Sequence, residues 1–320
     1  MRKTERNIYA QTIYFGVLMV FIYLVLSLLV NQASWSDRRV VLHLNPTMAR
    51  LGGQEYLMTR SFDQTARYDL FVVGSSHAYR GYDPRFFEQK GLRLFNAGSS
   101  AQHPSVSYQL LSHLAQNCPE KPLIIVDVFD KILEMDGQES SGRMLLNCAS
   151  QPMALGILQH EFNMTALNNY MARLFADHDQ LEVEAKDYVQ DGYCSRSAEL
   201  LAAPKPVNYA FQGNQATIDE LEQCLIWLAE NHYRFVVVSH PMPLQEGFEA
   251  YHTPAAKVIE SMATRQGAYF LDFTELSDFS EHRYYFSDET HLNQKGVEAF
   301  NGILLDSLYA LSVLNQPAIP

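Results

Sequence analysis

From Tyr68 onward the chain alternates short, nearly unbroken apolar runs with longer stretches in which apolar residues recur every three or four positions. The short runs are Tyr68–Val73, Leu92–Asn96, Leu123–Val128, Tyr233–Ser239 and Ala268–Phe273, rich in β-branched and aromatic side chains. Such runs predict strands buried on both faces, as in a parallel sheet covered by helices. Helices are expected over Pro84 to Lys90, where proline opens the segment and Gly91 stops it, and over Ser105 to Asn117. Two more are expected from the capping-box sequence Thr217-Ile-Asp-Glu220 to Asn231, and from Asn293 to about Leu314. The expected fold class is α/β, a three-layer α/β/α sandwich around a central parallel sheet of about five strands. Residues 131–213 break the alternation and read as an insertion, with helix-like stretches such as Met153–Leu174.

An earlier segment has another pattern. Ile13–Val30 carries no charge over eighteen residues, about 27 Å of helix at ~1.5 Å per residue. With Ala10, Gln11 and Thr12 it matches the thickness of a hydrocarbon core. A signal peptide would have a shorter apolar core and a small-x-small site, which Asn31-Gln32-Ala33 does not offer, so the segment reads as an uncleaved single-pass anchor. Arg2, Lys3 and Arg6 precede it, whereas Asp37 partly offsets Arg38 and Arg39 after it. The positive-inside bias then puts the N-terminus in the cytoplasm and the body outside. The expected division is a cytoplasmic tail (1–12), a transmembrane anchor (13–30), a stalk without clear period (31–66) and a domain (67–320).

Charge narrows the partners. The chain has 24 Lys plus Arg against 36 Asp plus Glu, a net of −12. The first 35 residues hold three bases and one acid, so the remainder carries 21 against 35, a net of −14. Such a body repels nucleic acid and anionic surfaces. Cys118, Cys148, Cys194 and Cys224 form no C-x-x-C pair, which leaves structural bridges and free buried thiols both open. No phosphate-binding loop, dinucleotide fingerprint or zinc motif is present, and no cofactor or metal is expected.

In an open parallel sheet, ligands bind beyond the carboxyl ends of the strands. The first strand ends in Gly74-Ser75-Ser76-His77, the second in Asn96-Ala97-Gly98, and the fourth at His240, while Asp288-Glu-Thr-His291 precedes the last helix. A serine hydroxyl becomes a nucleophile when a base lies within hydrogen-bond reach and a carboxylate orients that base. Asp288 and His291, three residues apart on a turn, supply such a pair, and Ser76 follows a strand and a glycine. His240 is the rival base and Ser75 the rival nucleophile; His77, Arg80, Asn96, His103 and His240 are candidates to line a pocket.

Together these blocks resemble those of the SGNH or GDSL-like hydrolases over about Tyr68 to Leu314. The resemblance implies Ser76 as nucleophile, Asp288 and His291 as its partners, and the backbone amides of Ser76 and Gly98 as the oxyanion hole. The family's third block, Gly-x-Asn-Asp, is absent: here the third strand ends in Val126-Asp127-Val128-Phe129-Asp130, and a carboxylate is no simple substitute for the asparagine donor. With its anchor the chain looks similar to a membrane-anchored branch that includes D-alanyl-lipoteichoic acid biosynthesis proteins and polysaccharide O-acetyltransferases. That branch implies an extracytoplasmic domain acting on ester-linked acyl groups of a cell-envelope glycan, often beside a multi-spanning acyltransferase. Hydrolysis and transfer share one acyl-serine intermediate, and both stay open.

Overall fold

A computed structural model describes residues 3–35, 38–39, 51–175, 187–274 and 276–314. Much of the expected stalk (36–37 and 40–50), part of the insertion (176–186) and the chain ends lie outside the described residues. Helix α1, Lys3–Gln32, contains the apolar segment, which extends from Ile8 to Val30 because Ile8 to Thr12 also lack charge. It is the one helix among the described residues long and apolar enough to cross a membrane, and no residue of its apolar span is fully buried.

The stretch read as stalk already belongs to the domain by Gly52, whose N–H donates to Asn147 Oδ1 at 2.9 Å. Helix α2, Gln54–Ser61, buries Met58 in the core. It escapes the apolar pattern because three of its five buried residues, Gln54, Glu55 and Thr59, are polar. Glu55 is held by a bidentate pair with Arg143, at 2.7 and 2.9 Å.

Five parallel strands form the sheet: β1 (Leu70–Val73), β2 (Leu94–Asn96), β3 (Leu123–Asp127), β4 (Phe235–Ser239) and β5 (Tyr269–Asp272). Their order is β2-β1-β3-β4-β5. Every expected strand is present within two residues of its bounds. Side chains alternate between two cores. Phe71, Val73, Ile124, Val126 and Val237 pack into one core with α5 (Pro104–His113), α9 (Gln215–Glu230) and α10 (Phe248–Arg265). Leu70, Val72, Ile125, Val236 and Val238 pack into the other, with α3 (Ser76–Gly81), α4 (Pro84–Glu88) and α12 (Gln294–Ala310). Helix α11, Ser277–Ser280, adds Phe279 to this second core.

The insertion contributes α6 (Gln138–Asn147), α7 (Gln151–His160), α8 (Met164–Phe175) and a short hairpin, Tyr188–Gln190 with Tyr193–Cys194. One cap differs from expectation. Asn214, not Thr217, caps α9 by accepting from Ala216 N–H, and the Thr217 hydroxyl donates to Met135 O at 2.7 Å. All four cysteines are free thiols.

In this strand order the chain leaves β1 toward one edge and returns to the other, so the loops after β1 and β3 diverge. The crevice between them is where open α/β sheets bind ligands. It is where Ser76 lies.

Candidate active site

Gly74 connects β1 to α3 with φ +152°, a region that a Cβ disfavours. A Cβ there would also lie 2.5 Å from Asp127 O and 2.8 Å from Asp127 Cβ. The sharp turn places Ser75 as the cap of α3 and Ser76 at its first position. Gly74→Ala is expected to cost about 2 kcal/mol, since strain of this kind runs to ~1–3 kcal/mol. It should also move Ser76. Denaturant unfolding checks the first effect, and the rate of covalent labelling at Ser76 the second; an unchanged midpoint would contradict the strain argument.

The serines divide the work. Ser75 is buried, and its Oγ accepts from His77 N–H and meets His77 Nδ1 at 3.3 Å. Ser76 Oγ lies 2.7 Å from His291 Nε2. On the other side of the ring, His291 Nδ1 lies 2.8 Å from Asp288 Oδ1 and 3.0 Å from Oδ2. An ionised carboxylate only accepts, so Nδ1 carries the proton and Nε2 presents a lone pair to the serine hydroxyl. The turn before α12 makes this arrangement. Asp288 Oδ1 also accepts from the N–H groups of Thr290 and His291, at 3.0 and 2.9 Å, and so closes the loop on itself.

Burial alone would raise the Asp288 carboxyl, but the His291 imidazole and those two amides outweigh it and hold the group well below the ordinary carboxylate range. Asp288 Oδ2 takes a further bond from Arg196 Nη1 at 3.0 Å. Arg196 comes from the insertion and was not among the sequence candidates. It lies 92 residues from Asp288 with no local pattern to mark it.

The expected pocket-lining residues are mostly structural. Asn96 is fully buried; its Nδ2 donates to Ala78 O and Tyr82 O, tying the end of β2 to α3. His77 is buried under the site, its ring stacked on His291 at 4.8 Å and packed against Phe129. Burial, then His291 and His240, push it well below the usual histidine range. His240, the rival base, lies buried against Phe300 and Tyr82; burial and His291 push it down to about 3, so it stays neutral. Arg80 extends over the Tyr79 ring and faces Asp187 at 3.9 Å, while Asp83 pairs with Arg85. His103 bonds Ser105 and Thr217 at the start of α5, away from Ser76's partners.

The two expected oxyanion donors differ in their surroundings. The Gly98 N–H donates to Asn96 Oδ1 at 3.1 Å, and is thus engaged inside the fold. The glycine is there for space, because a Cβ would lie 2.6 Å from Tyr79 N and 2.8 Å from Ala78 Cβ. The N–H of Ser76 opens α3, where first-turn amides lack intrahelical acceptors. Asp130, at the position of the missing third block, faces elsewhere. It is buried and bonded to His252 Nδ1 at 2.7 Å, while His252 Nε2 meets Asp272 Oδ2 at 2.8 Å. Among the described residues no group of His, Cys, Asp and Glu is arranged to hold a metal ion.

No family model matches the chain, and no curated protein matches it. Several solved structures are similar. A protein from Streptococcus pneumonia, provisionally described as a platelet activating factor, is 11% identical over 84% of this chain and 98% of its own, with a TM-score of 0.47. A lipase/acylhydrolase from Enterococcus faecalis is 12% identical over 79% of this chain and 100% of its own, with a TM-score of 0.40. AlinE4, an SGNH-hydrolase family esterase, is 12% identical over 77% of this chain and 98% of its own, with a TM-score of 0.34. At these identities and scores the reaction must be argued from the side chains of this chain.

Proposed function

We propose that this protein is a membrane-anchored serine esterase of the SGNH type, acting through an acyl-serine intermediate on ester-linked acyl groups of an extracytoplasmic glycan. The observation that carries the reading is the continuous relay from Ser76 Oγ through His291 to Asp288, with contacts of 2.7 and 2.8 Å. In the first half-reaction Ser76 Oγ bonds to the ester carbonyl carbon and its proton passes to His291 Nε2. The tetrahedral intermediate then expels the alcohol oxygen, which takes that proton from His291. In the second half, water attacks the acyl-serine, His291 accepts its proton, and Ser76 leaves as the restored hydroxyl. Asp288 remains ionised and stabilises the imidazolium in each half. A sugar hydroxyl in place of water makes the same centre an O-acyltransferase, working beside a multi-spanning acyltransferase. The anchor is α1, with the residues before Ile8 in the cytoplasm by the positive-inside bias.

Fluorophosphonate labelling of the full chain in detergent tests the reading. A covalent adduct is expected on the parent chain and none on Ser76→Ala; an intact adduct on that variant would remove the assignment. Offering an activated acyl ester with and without glycan acceptors then separates the two outcomes, as free acid marks hydrolysis and acylated sugar marks transfer.

A second reading is favoured by the engaged Gly98 amide and the sequestered Asp130. Each lost oxyanion donor costs ~10²–10³ in rate. A pocket reduced to the Ser76 amide suits a glycan-binding accessory protein. That reading expects Ser76→Ala and His291→Ala to leave the cellular phenotype intact.

A further inference from the structure

We propose that the corner formed by α7 and α8 is a second membrane contact, lying in the interfacial layer of the leaflet next to the domain. It rests on the reading that α1 spans a bilayer. Helix α1 does not stand clear of the body. It packs along α8, and the Tyr23 hydroxyl donates to Asn168 Oδ1 at 2.7 Å.

Tyr23 is seven residues before Val30, the end of the apolar span. At ~1.5 Å per residue that is about 10 Å along the helix axis. A helix that reaches Tyr23 therefore lies about 10 Å below the end of the span. Amphipathic helices in the headgroup and upper acyl region settle at ~5–10 Å. This depth follows from the contact alone and holds whichever side of the membrane the domain occupies.

The surface of the corner has the matching composition. Beyond α1, nine large apolar side chains are exposed among the described residues, and four of them fall here: Leu155 (41%), Phe162 (70%), Met164 (59%) and Leu174 (46%). From Met144 to Phe175 the only charged residues are Glu161 and Arg173. Arg173 is buried and spent on Cys148 O and Gln151 Oε1. A run of 32 residues with so little charge is unusual in a chain that is 19% charged. The same bilayer that holds α1 covers this surface, so the occupant is lipid rather than a second protein.

The contact also ties the membrane to the site. Helix α8 packs on α6, α6 carries Arg143 to Glu55 on α2, and Gln54 of α2 donates to Gly98 O beside α3. The rim that holds Ser76 is thereby fixed relative to the bilayer surface.

The full chain, reconstituted in phosphatidylcholine vesicles with brominated acyl chains, tests this. In a Trp35→Phe background, Phe162→Trp places an indole at the corner, and Trp227, stacked on Tyr233 in the domain, serves as internal reference. The introduced indole should emit to the blue and lose most of its emission to bromines high in the acyl chain, while Trp227 keeps its own. An unquenched introduced indole in protein that resists alkaline carbonate extraction would overturn the proposal and leave the span intact. A blue shift without bromine quenching would mark burial against protein, such as a second copy, and would also overturn it. Release by carbonate would remove the spanning reading and this one together.

Discussion

Asp288→Asn is expected to slow acylation of Ser76 by about 10⁴-fold without unfolding the protein, the size of loss seen when a buried triad carboxylate becomes an amide. Asp288 does three things at once: it accepts the Nδ1 proton of His291, closes the turn through the Thr290 and His291 amides, and meets Arg196. Asparagine keeps the shape and one acceptor for the amides. It also offers an NH₂ that can donate to Nδ1, which moves the ring proton to Nε2. A protonated Nε2 cannot take the Ser76 proton, so the serine loses its base. Arg196→Gln should be far milder, at most about fivefold, because half-exposed ion pairs are worth ~0.2–1 kcal/mol. Single-turnover acylation with an activated ester measures both variants, with thermal unfolding as the control. A loss under tenfold for Asp288→Asn would mean that His291 does not act as the base.

The second large effect is on stability. His252→Leu should destabilise the domain by about 3–5 kcal/mol, the cost of leaving a buried charge without its partner. His252 lies on α10 and bridges Asp130, just past β3, to Asp272 at the end of β5. Its removal strands a buried carboxylate. Burial disfavours the imidazolium, but the two carboxylates outweigh it and push His252 up to about 10. A histidine with its folded value above the unfolded ~6.5 binds its proton more tightly in the native state. Its contribution is complete below about pH 6.5 and fades as the pH rises toward 10. Asp272 works in the opposite sense: burial would raise it, His252 and Thr274 prevail, and it is held below its ordinary value. Its contribution is present above about pH 4 and fades in acid. Urea midpoints across pH should therefore fall on the alkaline side in the parent, and fall much less there in His252→Leu. A parallel alkaline decline in both proteins would exclude His252 as its source.

Four of the strands could be read from the chain because they are buried on both faces and so spell mostly apolar runs, and the half-exposed β5 because its Tyr-Phe-Leu run is aromatic and apolar all the same. Ser76, Asp288 and His291 could be singled out because the turn after β1 and the Asp-x-x-His loop are local, with Asp288 and His291 only three residues apart. What could not be read depends on distant partners. Arg196 meets Asp288 across 92 residues, and His252 meets Asp130 across 122. Neither spacing is a motif. Helix α2 stayed hidden because it buries Gln54 and Glu55 against specific acceptors and donors, which hydrophobic periodicity cannot register. The resemblance implies Gly98 as an oxyanion donor and position makes Asn96 a pocket candidate, and neither signal registers that Gly98 N–H donates to Asn96 Oδ1 and Asn96 Nδ2 to Ala78 O.

The relay joins the first strand of the sheet to the loop before its last helix, and Ser76 and His291 are 215 residues apart. Helix α12 must also be docked for that geometry, since Asn301 on α12 accepts from Asp83 N–H and donates to Gly81 O at the end of α3. No portion of the chain that ends before residue 291 holds both the serine and its base. At synthesis rates of ~5–20 residues per second, the nascent chain carries its serine for about 10–40 s before the histidine exists. Until residue 291 has been made the serine has no base, so a chain that stops short of it can form the turn after β1 but cannot assemble the Ser76–His291–Asp288 relay.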